Sequence, residues 1–305
     1  MKNTFAYKYL IIVPLCIFCV ACFKLDSNLF NSRTDITTYL FDAYTDEQDF
    51  KLNSSYNIDS VYSFDVFSKT AQETAPTRIK ACLIGFKHKL KTDTVILYCH
   101  GNKWHMDFYW QRAKLLAHIN GKCRYPVLFF DYRGFGLSEG QSSETAMYAD
   151  TRACLQWLKD QGVVSNRLIL YGFSLGSAPA TEICSHVTDN PISPSKLILE
   201  APFGSSEIMV KDASRINLPA SYFTNLKIDN CEEIKNVSIP LLWTHGTSDM
   251  FLNYKTHGEV VYNNKHYGYK TKYLVENAGH DNIPNTMGFD VYLHEIGKFI
   301  RMDVK

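Results

Sequence analysis

Short apolar runs recur along most of this chain, separated by stretches with helical spacing. Val61–Ser68 alternates and Arg78–Phe86 is partly apolar, with a turn-like stretch around Pro76 between them. That pattern predicts an antiparallel strand pair at a sheet edge. From Thr94 the pattern becomes regular. Thr94–Cys99, Pro126–Phe130, Arg167–Tyr171, Lys196–Glu200, Pro240–Thr244 and Lys272–Val275 each predict a strand. Between them, Trp104, Phe108, Leu115, Leu116 and Ile119 recur at helical spacing. Ser143 is placed to cap a helix running to about Gln161, with Met147, Cys154 and Leu158 on one face and Gly162 as its stop. Phe289, Tyr292, Ile296, Phe299 and Ile300 describe a closing amphipathic helix. Residues 203–238 are mixed and polar, with no run of strand type. Alternating strands and helices, the strands apolar on both faces, predict a mainly parallel sheet covered by helices.

Such sheets bind ligands at the carboxyl ends of their strands. His100-Gly101-Asn102, Asp131, Ser174, Glu200 and Asp249 all follow predicted strands, so they share one rim. The central stretch is Leu168-Ile169-Leu170-Tyr171-Gly172-Phe173-Ser174-Leu175-Gly176-Ser177-Ala178. An apolar run ending in Gly-x-Ser-x-Gly and passing into small residues is the sequence form of a nucleophile elbow. The turn is tight enough that Gly172 and Gly176 have no room for side chains, and it lifts the Ser174 hydroxyl above the sheet.

A serine hydroxyl is almost un-ionised at neutral pH. It needs a base at hydrogen-bond distance, a carboxylate to orient the base, and N–H donors for the oxyanion. Downstream of Ser174, Asp249 follows the Pro240–Thr244 strand, with Glu200 as its rival at the end of the preceding strand. His280 lies in the loop after the last strand, in Ala278-Gly279-His280. His245 is nearer to Asp249 in sequence but precedes it. The order Ser174, Asp249, His280 favours Asp249 as acid and His280 as base. The oxyanion donors are expected to be the N–H groups of Leu175, at the helix start, and Asn102, where Gly101 lets the backbone approach.

Composition narrows the function classes. The chain has 305 residues, 46% hydrophobic and 21% charged, which fits a sizeable globular core. With 32 basic and 31 acidic residues the net charge is +1, and no basic patch supports nucleic-acid binding. The N-terminus differs from the rest. Lys2 and Lys8 precede an apolar run from Tyr9 to Phe23, shorter than the about 20 residues a membrane span requires. This reads as a secretory signal over residues 1–21. Its end, Cys19-Val20-Ala21-Cys22, is similar to the lipobox of bacterial lipoproteins, although Cys19 stands where those have leucine. Lipidation at Cys22 would hold an exported chain at the cell-envelope membrane through acyl chains. Cleavage by the ordinary signal peptidase and retention as a signal anchor are the alternatives. Residues 22–60 read as a tether and N-terminal extension onto a domain spanning 61–305. Nine cysteines are present, three of them in the signal. The other six show no CxxC or zinc spacing, which points to buried thiols and no metal.

Taken together, the motifs resemble the α/β-hydrolase superfamily. They are Cys99-His100-Gly101-Asn102, Phe130-Asp131-Tyr132-Arg133-Gly134-Phe135-Gly136-Leu137-Ser138-Glu139-Gly140, Tyr171-Gly172-Phe173-Ser174-Leu175-Gly176, Glu200-Ala201-Pro202-Phe203, His245-Gly246-Thr247-Ser248-Asp249 and Ala278-Gly279-His280. Within it the chain resembles the small, minimally lidded serine hydrolases that include Bem-type and acyl-protein-depalmitoylase-like enzymes. The resemblance implies an eight-stranded, mostly parallel sheet with helices on both faces and a short lid insert over 203–238. It implies hydrolysis of a carboxylic ester or thioester without a cofactor, by a monomer acting on a small-molecule or acylated substrate. Ser174 would be the nucleophile, Asp249 the acid and His280 the base, and Asp131 would brace the sheet rim. An aminopeptidase-like amidase and a non-catalytic surface-binding lipoprotein of the same fold are the alternatives. The chain departs from the family after His-Gly-Asn, where Lys103, Trp104, His105 and Met106 would narrow the pocket. The insert contributes Leu218, Tyr222 and Phe223, either as packing or as a shallow apolar wall.

Overall fold

The computed structural model describes residues 30–214 and 224–303. In chain order the strands are β1 (Asn31–Ser32), β2 (Val61–Ser68), β3 (Thr77–Ile84), β4 (Val95–Cys99), β5 (Lys103–Trp104), β6 (Val127–Phe130), β7 (Leu168–Phe173), β8 (Lys196–Glu200), β9 (Leu241–Gly246) and β10 (Lys270–Val275). The α-helices are α1 (Met106–Ala117), α2 (Glu144–Asp160), α3 (Ser177–Ser185), α4 (Ser206–Ser214), α5 (Asn230–Glu233), α6 (Gly258–Asn264), α7 (Ile283–Met287) and α8 (Phe289–Arg301).

Eight strands form one sheet in the order β10-β9-β8-β7-β4-β6-β3-β2. Every neighbouring pair is parallel except those made by β3, which runs against both β2 and β6. The predicted edge pair and the parallel centre are therefore both present. Strands β4, β6 and β7 are buried along their whole length, which is why their sequences read as continuous apolar runs rather than alternating ones.

One core lies between the sheet and α2 and α3, where Met147, Cys154, Leu155 and Leu158 meet Ala178, Ala180 and Ile183. The other lies beneath α1 and α8, where Phe108, Trp110 and Leu116 join Tyr292, Ile296 and Phe299. Helix α2 starts at Ser143, whose Oγ accepts the Ala146 N–H, and stops at Gly162, where φ is +88°. The capping oxygen satisfies one of the N–H groups that lack a partner in the first turn. All six described cysteines are free and buried. Burial pushes the thiols of Cys82, Cys99 and Cys231 up to about 12, so they are poor nucleophiles at neutral pH.

Residues 30–60 lie along the body of the domain. β1 pairs in parallel with β5. The Asp107 carboxylate accepts the N–H groups of Leu40 and Phe41, and Phe50 is buried in the core under α1. In 203–238, where the sequence shows no strand run, the chain forms α4 and α5. Asn230 of α5 donates to Ser177 Oγ at 3.1 Å and to Phe203 O at 2.7 Å, which fastens the insert to the start of α3. Residues 1–29 lie outside the described residues, and so do the signal over 1–21, Cys22, and Leu218, Tyr222 and Phe223 of the insert. No helix among the described residues is long and apolar enough to cross a membrane.

Candidate active site

β7 runs straight into the turn at Ser174 and then into α3. Ser174 has φ +52°, a left-handed conformation that costs an L-residue free energy and clusters at functional sites. The turn leaves no room on either side. A Cβ on Gly172 would lie 2.6 Å from Gly176 O and 2.8 Å from the Ala180 Cβ, and one on Gly176 would collide with the carbonyl of Cys99. Ser177 Oγ donates to Ser174 O at 2.6 Å and accepts the Phe203 N–H, so the first turn of α3 is tied both to the elbow and to the loop after β8.

The loops after β9 and β10 bring two more side chains to this point. His280 Nε2 lies 2.8 Å from Ser174 Oγ, and His280 Nδ1 lies 2.7 Å from Asp249 Oδ2. A carboxylate only accepts, so Nδ1 carries the proton and Nε2 is the acceptor for the serine hydroxyl. The imidazole sits between two aromatic rings, Phe173 at 5.3 Å and Phe251 at 5.1 Å. Burial disfavours the Asp249 charge. Hydrogen bonds from His245 and His280, the attraction of His280 and the Leu252 N–H outweigh it and hold the carboxyl well below the usual range. Its Oδ1 accepts the N–H groups of Phe251 and Leu252, each at 2.8 Å.

Glu200, the rival acid, is turned into a different site. It is fully buried and paired with Arg112, and its Oε2 accepts from Tyr171 at 2.5 Å and from Tyr292 at 2.7 Å. Arg112 also bonds Asp49 of the N-terminal arm at 2.9 Å and donates to the carbonyl of Asp281 at 2.7 Å. Its guanidinium lies 4.0 Å from the Phe173 ring centroid. Sequence reasoning missed this group, because residues 49, 112, 200 and 281 come together only through the fold.

Asn102 and Leu175 line the same cavity as Ser174. Asn102 Oδ1 accepts the Asn31 N–H at 3.1 Å, and Gly101 lies too close to the Tyr109 hydroxyl to bear a Cβ without a shift. His100 is buried, 3.1 Å from Asp131, whose other oxygen accepts the Tyr39 hydroxyl at 2.6 Å. Asp131 thus lies among buried groups below the rim. The cavity holds about 510 Å³ of space, part of it open to solvent. Its wall is chiefly apolar, with Phe203, Met209, Leu226, Ile228 and Leu252 beside Phe30 of the arm. A wider groove outside it is bordered by Ser32, Lys103, His280 and Asp281. The expectation that Trp104, His105 and Met106 narrow this pocket is corrected. His105 and Met106 are fully buried, and Trp104 packs on Phe108 and under Arg33, so of the four residues only Lys103 reaches the groove. The positive φ of Trp104, +54°, turns the chain here. No cluster of metal-ligating side chains occurs among the described residues.

His257 backs the cavity wall. It is 1% exposed and accepts the Gly204 N–H at Nδ1. Burial lowers its pKa from 6.5 to about 4. The unfolded chain therefore binds more protons between these values, and stability is lost as pH falls through that window. Chemical denaturation at pH 7.5, 5.5 and 4.5 is expected to show this decline, and His257→Gln is expected to flatten it. A decline that His257→Gln leaves unchanged would assign it to other groups.

The elbow, the order of Ser174, Asp249 and His280 along the chain and the parallel sheet define a chain with the α/β-hydrolase fold and a Ser-His-Asp constellation. Residues 91–235 match the family described as serine aminopeptidase, S33. The chain has the α/β-hydrolase fold and is similar to members of that superfamily. It is 31% identical over 182 residues to lysophosphatidylserine lipase ABHD12 of Danio rerio, covering 55% of this chain and 46% of that protein. It is 27% identical over 206 residues to α/β hydrolase domain-containing protein 17C of Mus musculus, covering 67% of this chain and 59% of that one. The fold is similar to that of an esterase of Pyrococcus furiosus, Pf2001, with a TM-score of 0.62 at 17% identity over 90% of this chain and 97% of the other. The chain spans about half the length of the first of these curated relatives.

Proposed function

We propose that this chain is a serine hydrolase that cleaves a carboxylic ester or thioester of an apolar acyl group. The observation that carries the reading is the unbroken contact from Asp249 through His280 to Ser174, opening on an apolar cavity. In this reading His280 takes the Ser174 proton as Oγ attacks the acyl carbon, and Asp249 stabilises the imidazolium. The oxyanion is received by the N–H groups of Asn102 and Leu175. The protonated His280 then gives its proton to the departing alcohol or thiol, and activates the water that releases the acid. The acyl group lies against Met209, Leu226 and Ile228, and the leaving group against the polar groove at Lys103 and Asp281.

That one relative is named a lysophosphatidylserine lipase supports a lipid ester as substrate. The earlier likeness to Bem-type and depalmitoylase-like enzymes supports the thioester. The name of the matched family favours a second reading, an aminopeptidase-like amidase. In that reading the Asp281 carboxylate of the adjoining groove would receive a substrate ammonium group, whereas the apolar cavity beside Ser174 suits an acyl chain. The proposal also includes export, anchoring at a membrane by a lipid on Cys22, and a monomeric state.

A fluorophosphonate probe is expected to label the folded protein on Ser174, located by peptide mass spectrometry. Initial rates on acyl esters of increasing length, acyl thioesters and aminoacyl amides then rank the bonds, with medium-chain esters or thioesters expected to lead. A folded protein that takes no label would instead be a binding protein of this fold.

A further inference from the structure

Strand β9 places Trp243 and His245 two residues apart, so both side chains lie on one face of the sheet. His245 is fully buried. Its Nε2 lies 3.1 Å from Asp249 Oδ2, the same oxygen that holds His280, and 2.9 Å from Leu252 O. Both partners are acceptors, so Nε2 carries a proton. On the other side of the ring, Trp243 Nε1 lies 3.3 Å from Nδ1. Indole N–H only donates, so Nδ1 must be the bare nitrogen. The ring is therefore fixed as the neutral Nε2–H tautomer. The pocket around it is tight. A Cβ on Gly258, at the start of α6, would overlap His245 Nδ1 and lie 2.5 Å from Trp243 Nε1.

We propose that His245, held in one tautomer by the Trp243 indole, is a positioning residue that donates a permanent neutral hydrogen bond to the Asp249 carboxylate and so limits how strongly Asp249 draws a proton onto His280. The inference rests on the reading of Ser174, His280 and Asp249 as a triad. The effect is electrostatic. A carboxylate oxygen shared by two imidazole N–H groups is a weaker partner for either than one that serves a single ring. Without the Trp243 donor, His245 could take a second proton and become a cation beside Asp249. That would pull the carboxylate away from the base. Other titratable groups among the described residues also face the pair. His257 lies behind it with Asp212 of α4 beyond, Tyr254 approaches the His245 ring, and Lys272 of β10 and Tyr262 of α6 lie over the Trp243 ring.

The test is the pH profile of kcat/KM on a p-nitrophenyl ester for the wild type, His245→Gln, His245→Leu and Trp243→Phe. In His245→Leu the unshared carboxylate favours protonated His280. The acid limb is expected to move up by about half a unit to one unit, as the loss of one neutral hydrogen bond would give. His245→Gln retains an amide donor and is expected to restore the wild-type limb. Trp243→Phe is expected to move the limb the other way, and it decides the matter if His245→Leu does not fold. An acid limb unmoved in every folded variant, whatever the loss of rate, would reduce His245 to packing and overturn the proposal. A separate readout needs no turnover. Ring-nitrogen NMR of the wild type at pH 8 is expected to show a bare Nδ1 and a protonated Nε2 on His245. A protonated Nδ1 overturns the proposal. A protein with that NMR signature that Ser174→Ala fails to inactivate would instead refute the triad reading.

Discussion

Replacing Ser174 by alanine is expected to lower kcat for ester hydrolysis on the order of 10⁵-fold or more, because in the proposed mechanism nucleophile and base act as a unit and the loss of either would remove the acyl-enzyme route. The protein should remain folded. The Ser174 side chain contributes one hydroxyl to the cavity wall, whereas the turn is held by other atoms, chiefly Ser177 Oγ on Ser174 O and the packing of Gly172 and Gly176. Thermal unfolding by circular dichroism is expected to match the wild type within a few degrees. A double variant with His280→Ala should be no slower than either single one, since the effects of such a unit do not add. A Ser174→Ala protein that kept more than a hundredth of the wild-type rate would end the nucleophile assignment.

Removing Arg112 is expected to have the largest effect on stability. Its guanidinium is fully buried between the carboxylates of Asp49 and Glu200, which are themselves buried. Arg112→Met would fill much of the volume and leave two acidic groups without their cation. Breaking a buried pair on one side costs about 3–5 kcal/mol, more than the pair itself contributes relative to apolar packing. Denaturant unfolding should show a fall of that size in the midpoint stability. The folded fraction should also lose rate, because Arg112 donates to the carbonyl of Asp281, the residue after His280, and packs on Phe173, the residue before Ser174. A loss below about 1 kcal/mol would mean that water or another cation replaces the guanidinium.

What the sequence showed of this molecule follows the range of the forces involved. Runs such as Val127–Phe130 and Leu168–Phe173 are apolar because both faces of the sheet are covered, and that demand is visible locally. The elbow was legible for the same reason. Its two glycines answer steric contacts within one turn. Ser174, Asp249 and His280 could be ordered along the chain because each follows a strand, and the structure brings all three within hydrogen-bond reach. The helix α4 within 203–238 escaped, since its one apolar stretch, Ile208–Val210, is shorter than a helical turn and shows no helical period. So did the partners of charged residues far apart in sequence. Glu200 reads only as a candidate acid, and nothing in the sequence singles out Asp49 or Arg112. Their burial follows only from how the arm, α1 and the end of β8 pack together. The turn at Trp104 likewise lies where β5 pairs with β1, Ser32 against Trp104, and beside it the Asn31 N–H bonds Asn102 Oδ1, a contact between residues 71 apart.

That last contact also bears on how the domain can be divided. A chain trimmed to begin at Val61 would retain every strand of the large sheet and all three of Ser174, Asp249 and His280. It would lose the Asn31 hydrogen bond to Asn102, the Phe30 side of the cavity and the Asp49 carboxylate on Arg112. Sheet and reactive centre are therefore expected to have different minimal lengths: a piece from Val61 that folds as a scaffold, and an active unit that also needs the arm from about Phe30, which closes over the loop after β4.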